Sequence, residues 1–392
     1  AIFYLIAVVA VLRRSSSSSS GRAGLRVILL AAVVFRLTLL PVTPRVSPQL
    51  WRFHWDAKIQ QVGFNPYAFA PQDPLFNPIR GVDDRKAPEP AVAGFHPPLA
   101  ELLFRWGYQL FGGGLRSQKV LFTLLDLLLL ILLTRMLRAR GQPPEWVVIY
   151  AWSPLAVFEI AGNGRMESAA ALLVLLALHW AGRRPRPAAI AIASAALTQW
   201  YAFLLAPAVL AAAKRRWAGA LAWFVIWPAI LFLPYLVVTR HLVFRRLAAN
   251  LRAHLASSVP FNGSLYPLAQ AWFGHHAGAV LALALLAAVI VAGSLRQAGP
   301  LRAAYWILGT SLLVMPWVHS CQMLWLLPLV VFFPEAPWLY FSVAVLWAYA
   351  LPAHPFLIWI EYVPLYGLLA WQGLGASGTR AAGALGPARA PA

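Results

Sequence analysis

The chain reads as an all-α polytopic membrane protein, a bundle of roughly 11–13 transmembrane helices, and its composition and patterning carry that prediction. Of its 392 residues, 61% are hydrophobic and 11% charged. Apolar runs recur along nearly the whole chain, and several approach the ~20 residues that one helix needs to cross a hydrocarbon core. Basic residues gather in short connections between these runs. Leu/Ala/Val runs punctuated by Pro and Trp favour helices over a barrel, whose strands would alternate apolar and polar positions.

The runs lie near 1–12, 25–41, 118–134, 146–162, 167–181, 188–212, 217–239, 278–295, 303–318, 321–333, 338–352 and 356–371. The clusters Arg135/Arg138/Arg140, Arg183/Arg184/Arg186 and Lys214/Arg215/Arg216 are cytoplasmic by the positive-inside rule, which leaves connections 42–117 and 240–277 outside. Membrane orientation and anionic lipid therefore account for the net charge of +20, and nucleic acid is not an expected partner. Run 188–212 has basic clusters at both ends, so its polar break Thr198-Gln199-Trp200-Tyr201 predicts two half-helices that turn back, with Gln199 inside the bundle. Asp126 sits mid-run at the depth of Arg36, its expected partner, and Glu361 is expected to meet an arginine of a neighbouring helix. Ser15 to Ser20 read as a flexible loop, 1–372 as one transmembrane domain, and 373–392 as a flexible tail. Cys321 is the single cysteine, so no internal disulfide forms.

The outer loop 42–117 is long and rich in aromatics, which points to a structured, functional connection. Its spacing predicts a helix over Leu50 to Val62, ended by Gly63. Arg52, Asp56 and Gln60 then share one face, and Trp51, Trp55 and Ile59 a neighbouring one. A polar stripe beside an aromatic one suits an interfacial helix over a cavity; the same spacing also suits an Arg52/Asp56 pair that only orients the loop. Arg245, Arg246 and Arg252 lie on the side where few basic residues belong, so they mark either a lipid-phosphate site or a contact with anionic headgroups. His96, before Pro97-Pro98, faces the cavity or the interface.

One series of motifs runs through most of the chain. It begins with Trp51-Arg52-Phe53-His54-Trp55-Asp56, Gln60, Gly63-Phe64-Asn65-Pro66-Tyr67, Ala70-Pro71-Gln72-Asp73-Pro74 and Pro97-Pro98-Leu99-Ala100-Glu101. It continues with Tyr150-Ala151-Trp152-Ser153-Pro154, Glu159, Gly162-Asn163-Gly164, Phe261-Asn262-Gly263-Ser264, Leu324-Trp325-Leu326-Leu327-Pro328 and Ile360-Glu361-Tyr362-Val363-Pro364. In order and spacing, the series resembles the bacterial polyprenyl-phosphate-sugar-dependent glycosyltransferases of GT-C fold, which are mannosyltransferase-like membrane proteins.

The resemblance implies a GT-C-like bundle in a bacterial inner membrane. It implies transfer of a sugar such as mannose from a polyprenyl-phosphate donor to an acceptor hydroxyl at the outer, periplasmic face. A carboxylate would act as base and cations would hold the leaving phosphate. On this reading Asp56 and Glu167 are catalytic, and Arg52, Gln60, Asn65, Tyr67, His96, Arg165 and His319 contact substrate. Arg245, Arg246 and Arg252 bind the lipid phosphate. No His/Cys cluster has ligand spacing, so no metal ligand is assigned; Mg²⁺ or Mn²⁺ held by carboxylates would leave no sequence mark.

The chain also departs from the family pattern. Where two acidic residues would follow a serine, it has Ser47-Pro48-Gln49, and a Gly-His-x-Asp element stands as Gly164-Arg165-Met166-Glu167. Gln199 replaces a lysine, and His319-Ser320-Cys321-Gln322 replaces a His-Pro-Trp-Tyr element. Two readings follow. Either catalysis has been reassigned to Asp56 supported by Glu167, or the chain is a non-catalytic structural or assembly subunit of a stable membrane complex.

Overall fold

The computed structural model describes residues 2–14, 21–239, 241–256, 260–295 and 299–384. Among these residues the protein is all-helical, with eighteen α-helices, short 3-10 segments and one π-helical turn. Ser15 to Ser20 and 385–392 lie outside the described residues.

Helices α1 (Ile2–Arg14) and α2 (Gly21–Leu39) open the chain. The outer loop holds α3 (Gln49–Gln61) and α4 (Pro98–Leu110). Then come α5 (Leu115–Ala139), the short α6 (Val148–Ala151) and α7 (Pro154–Ala156), the π-turn Val157–Gly162, α8 (Glu167–Trp180), α9 (Pro185–Ala196) and α10 (Ala206–Ala211). The second half consists of α11 (Trp217–Thr239), α12 (Leu242–Ala256), α13 (Leu265–Phe273), α14 (His275–Leu295), α15 (Pro300–Val314), α16 (Met323–Val330), α17 (Ala336–Ala344) and α18 (Leu357–Ala384). Helix α18 continues to Ala384, past the expected start of a tail at residue 373.

Among the described residues, three helices are long and apolar enough by length and composition to cross a membrane: Leu115–Ala139, Lys214–Val237 and His275–Leu295. A fourth apolar unit, Pro154–Gly162 with Glu167–Trp180, is bent by 119°. Several other apolar runs form shorter helices, including Trp200–Ala211 and Ser320–Val330. Breaks in the hydrogen-bond ladder keep these runs from forming continuous rods. Pro328 lies inside α16, and a 3-10 segment, Trp200–Leu205, separates α9 from α10.

These breaks expose backbone groups, and the outer loop satisfies some of them. The break after α9 leaves the Leu197 carbonyl free to accept from Leu99 N and Ala100 N of α4, at 3.0 and 3.2 Å. The N-terminus of α4 is thereby docked on the break. Within the bundle, Arg36 and Asp126 are fully buried and ion-paired, as their matching depth predicts. Asp126 also accepts from Tyr150 Oη at 2.6 Å, and Arg36 Nη1 donates to the Ala32 and Ala151 carbonyls at 3.0 and 2.9 Å. The charges satisfy each other inside a dry core, where an unpaired one would be very costly. Glu361 meets no arginine among the described residues: its Oε2 accepts from Asn262 Nδ2 at 2.8 Å. Asn262 can reach it because its backbone is left-handed, φ 52°, a conformation asparagine tolerates.

Candidate functional site

The outer loop builds one wall of the site. Helix α3 ends at Val62, and Gly63 leaves it with φ 86°. Its aromatic face, Trp55 and Ile59, is buried with Phe76 and Ala87, with Phe64 and Phe69 packed alongside, so this face anchors the loop. Beyond the turn, Asn65 Oδ1 accepts from Tyr67 N at 2.9 Å, and Asn65 Nδ2 donates to the Tyr235 carbonyl of α11 at 2.9 Å. Tyr67 Oη donates to the His96 carbonyl at 2.7 Å. The asparagine and tyrosine therefore hold the His96 segment against the bundle. Gly94 completes the fit, since a Cβ there would stand 2.5 Å from the Tyr67 ring.

The opposite wall comes from the bent helix pair. The π-turn followed by Asn163-Gly164, with Gly164 at φ 71°, swings the chain so that Arg165 and Glu167 lie at the start of α8. Arg165 Nη2 contacts Glu167 Oε1 at 3.1 Å and donates to the Cys321 thiol. Glu159 on the π-turn accepts from Ser320 Oγ and from Tyr349 Oη, the latter at 2.8 Å, which ties the turn to the His319 segment. His319 stacks on Phe261 with ring centroids 4.7 Å apart.

Between these walls is a cavity of about 280 Å³ whose lining includes Gln49, His96, Arg165, Glu167, Gln199 and Gln322. Phe53, Phe95, Trp200 and Trp325 supply aromatic surface, and His319 stands at its edge. An adjoining lobe of about 370 Å³ shares Gln49, Arg165, His319 and Cys321 and extends to Ser47, Pro48 and Tyr349. Pro48, Gln49, Arg165, Glu167, Gln199 and the segment 319–322 thus line the two adjoining spaces. Several polar atoms of lining residues have no partner among the described residues: Gln49 Oε1, Arg165 Nε, Glu167 Oε2 and Trp325 Nε1, and Tyr201 Oη, on the ring stacked against Trp325, has none either.

Asp56 does not belong to this lining. It is 1% exposed, and both its oxygens accept from Arg52 Nε, at 2.9 and 2.8 Å. Its Oδ2 lies 3.5 Å from His96 Nδ1, and Glu101 Oε1 lies 3.8 Å from the same nitrogen. Gln60 Nε2 donates to Glu101 Oε2 at 3.1 Å and to the Asp56 carbonyl at 3.0 Å. Burial pushes the Glu101 carboxyl well above its ordinary range, and the Asp56 carboxylate adds to that; burial lowers the His96 imidazole. Asp56 therefore sits behind His96, out of reach of a molecule in the cavity.

Of the residues singled out from the sequence, His96, Arg165, Glu167 and His319 come together on the cavity. Arg52, Asp56 and Gln60 form the buried cluster behind it, while Gln60 and Asn65 also border a separate hollow of about 170 Å³. Tyr67 is fully buried as a support. Helix α12 covers part of the cavity through Leu247, Asn250 and Leu251, held by Asn250 Nδ2 on the Gly94 carbonyl at 2.8 Å. Arg245, Arg246 and Arg252 of the same helix are exposed and are not part of the lining. Glu101, Tyr201 and Trp325 stand in the sequence only as members of longer motifs, with no role assigned; the fold sets Glu101 beside Asp56 and His96, and stacks Tyr201 on the cavity residue Trp325. Comparison of the chain with protein-family models, curated proteins and solved structures finds no match.

Proposed function

We propose that the protein is a membrane-embedded glycosyltransferase that moves a sugar from a polyprenyl-phosphate donor to a hydroxyl acceptor, with the cavity beside Arg165 and Glu167 as its reaction site. The observation that carries the reading is the pairing of an ionic centre, Arg165 with Glu167, with aromatic walls and amide groups around one cavity. Aromatic faces suit the C–H surfaces of a sugar ring, and Gln49, Gln199 and Gln322 offer both donors and acceptors for its hydroxyls.

In this reading the acceptor oxygen bonds to the anomeric carbon as the carbon–oxygen bond to phosphate breaks, its electron pair leaving on the phosphate. The acceptor proton passes to Glu167 Oε2, the carboxylate oxygen without a partner. Arg165, whose Nε is likewise unpartnered, stabilises the charge that develops on the leaving phosphate. Asp56 is not the base, because it is sequestered by Arg52. The exposed Arg245, Arg246 and Arg252 flank the cavity lid and meet lipid phosphate at the rim. With the arginine clusters after α5 and α8 taken as cytoplasmic by the positive-inside rule, this reading puts the cavity on the outer, periplasmic side of a bacterial inner membrane. The remaining broken apolar runs complete a GT-C-like set of roughly 11–13 crossings.

The test is transfer from a polyprenyl-phosphate hexose by the full chain in lipid nanodiscs. Glu167→Gln is expected to lower turnover about 10²–10⁴-fold with the fold intact. One observation favours a second reading, a non-catalytic complex subunit: the start of α3 presents Pro48 and Gln49, neither of which accepts a proton at neutral pH. Wild-type protein without turnover that purifies in a fixed complex would select that reading.

A further inference from the structure

The cluster behind the cavity gathers three residues of metal-ligating type. Asp56 on α3, His96 in the loop and Glu101 in the first turn of α4 bring two carboxylate oxygens and one imidazole nitrogen within 4.8 Å of one another. All three residues are buried, at 1%, 4% and 0% exposure. His96 Nδ1 and Glu101 Oε1 have no hydrogen-bond partner among the described residues, although each faces the other. In a packed interior such orphaned atoms are rare.

The distances explain why. At 3.5 and 3.8 Å, His96 Nδ1 is too far from Asp56 Oδ2 and Glu101 Oε1 for a good hydrogen bond. Two ligands held about 2.0–2.2 Å from one ion at tetrahedral angles stand about 3.3–3.6 Å apart; the 3.5 Å separation lies in that range and the 3.8 Å one just beyond it. Asp56 alone engages Arg52 Nε, which leaves Glu101 Oε1 facing His96 without a partner among the described residues. A carboxylate ligand that also accepts from arginine, and one that also accepts from Gln60, have the supporting hydrogen bonds usual around metal ligands.

We propose that Asp56, His96 through Nδ1, and Glu101 bind one divalent transition-metal ion of the zinc class. The mixed imidazole and carboxylate donors favour such an ion over magnesium, which takes oxygen ligands and keeps its water. Three protein ligands leave at least one coordination position for water or another group. The ion clamps α3, the His96 loop and α4 together behind the cavity wall. This site goes beyond the transferase reading and does not depend on it, since its readout is metal content and spectrum.

The experiment uses the full chain, stripped with chelator, in nanodiscs, titrated with Co²⁺ and then Zn²⁺. Expected are one tightly held equivalent, a visible Co²⁺ absorption band that Zn²⁺ abolishes, and a melting temperature that rises with metal. Glu101→Gln, near-isosteric, and His96→Ala should each remove the band and weaken retention at least 10-fold, while His354→Ala, at an exposed and distant histidine, should change neither. Should His96→Ala unfold the protein, Glu101→Gln with a measured melting temperature decides alone. Sub-stoichiometric metal, or a band unchanged in Glu101→Gln, would overturn the proposal whether or not the protein transfers sugar.

Discussion

Both oxygens of Asp56 accept from one nitrogen, Arg52 Nε, at 2.9 and 2.8 Å, and the pair is 1% exposed on each side. The carboxylate that the sequence offers most plainly for chemistry is therefore committed to its own helix. Removing it leaves a buried guanidinium without its counter-charge. Asp56→Ala is expected to destabilise the fold by about 3–5 kcal/mol, and Arg52→Leu combined with Asp56→Leu to recover most of that. Unfolding in detergent, followed by intrinsic tryptophan fluorescence, checks both; an unchanged melting temperature in Asp56→Ala would count against the pair as a structural element.

Arg165 is the cation of the cavity. Under the transferase reading, Arg165→Ala lowers kcat by about 10²-fold, and Arg165→Lys restores only part, because an ammonium is a point charge without the guanidinium fork. Steady-state kinetics with a lipid-linked donor measure this. An effect confined to KM would assign Arg165 to ground-state binding instead.

Arg245 and Arg246 are exposed on the helix that covers the cavity, outside its lining. Under the transferase reading, their double replacement by alanine is expected to raise the donor KM about 30-fold at low salt and to leave kcat unchanged, each arginine near an anionic surface contributing about 1 kcal/mol. Added salt should erase the difference, because exposed charges are screened. A salt-independent loss of kcat would mean that these side chains enter the cavity.

Gly94 has φ 65°, and a Cβ there would lie 2.5 Å from the Tyr67 ring that supports the His96 carbonyl. Gly94→Ala combines left-handed strain with a clash, and should cost about 3 kcal/mol. Thermal unfolding reads the loss. Unaltered stability would show that the Tyr67 ring can yield.

Local features were legible in the sequence. The helix expected over residues 50–62 is found as Gln49–Gln61, because its periodicity and its glycine stop are short-range properties. The Arg36–Asp126 pair was legible because two charges at one depth in apolar runs have few other partners. Glu361 was not, since its partner Asn262 depends on a left-handed turn in a distant loop. The cluster of Asp56, His96 and Glu101 was not legible either: nothing in the spacing of 56, 96 and 101 announces three ligand atoms within 4.8 Å.

By itself the sequence determined the helical membrane character, the polar stripe of α3 and the residue types available for chemistry, since hydropathy and helical period are local quantities. Only the tertiary structure decided which of those residues meet. It set Glu167 and Arg165 on the cavity, withdrew Asp56 behind His96, and captured the start of α4 on the Leu197 carbonyl at a broken helix. That capture joins segments distant in the chain, and its cause, an unsatisfied backbone acceptor inside the bundle, exists only once the bundle has formed.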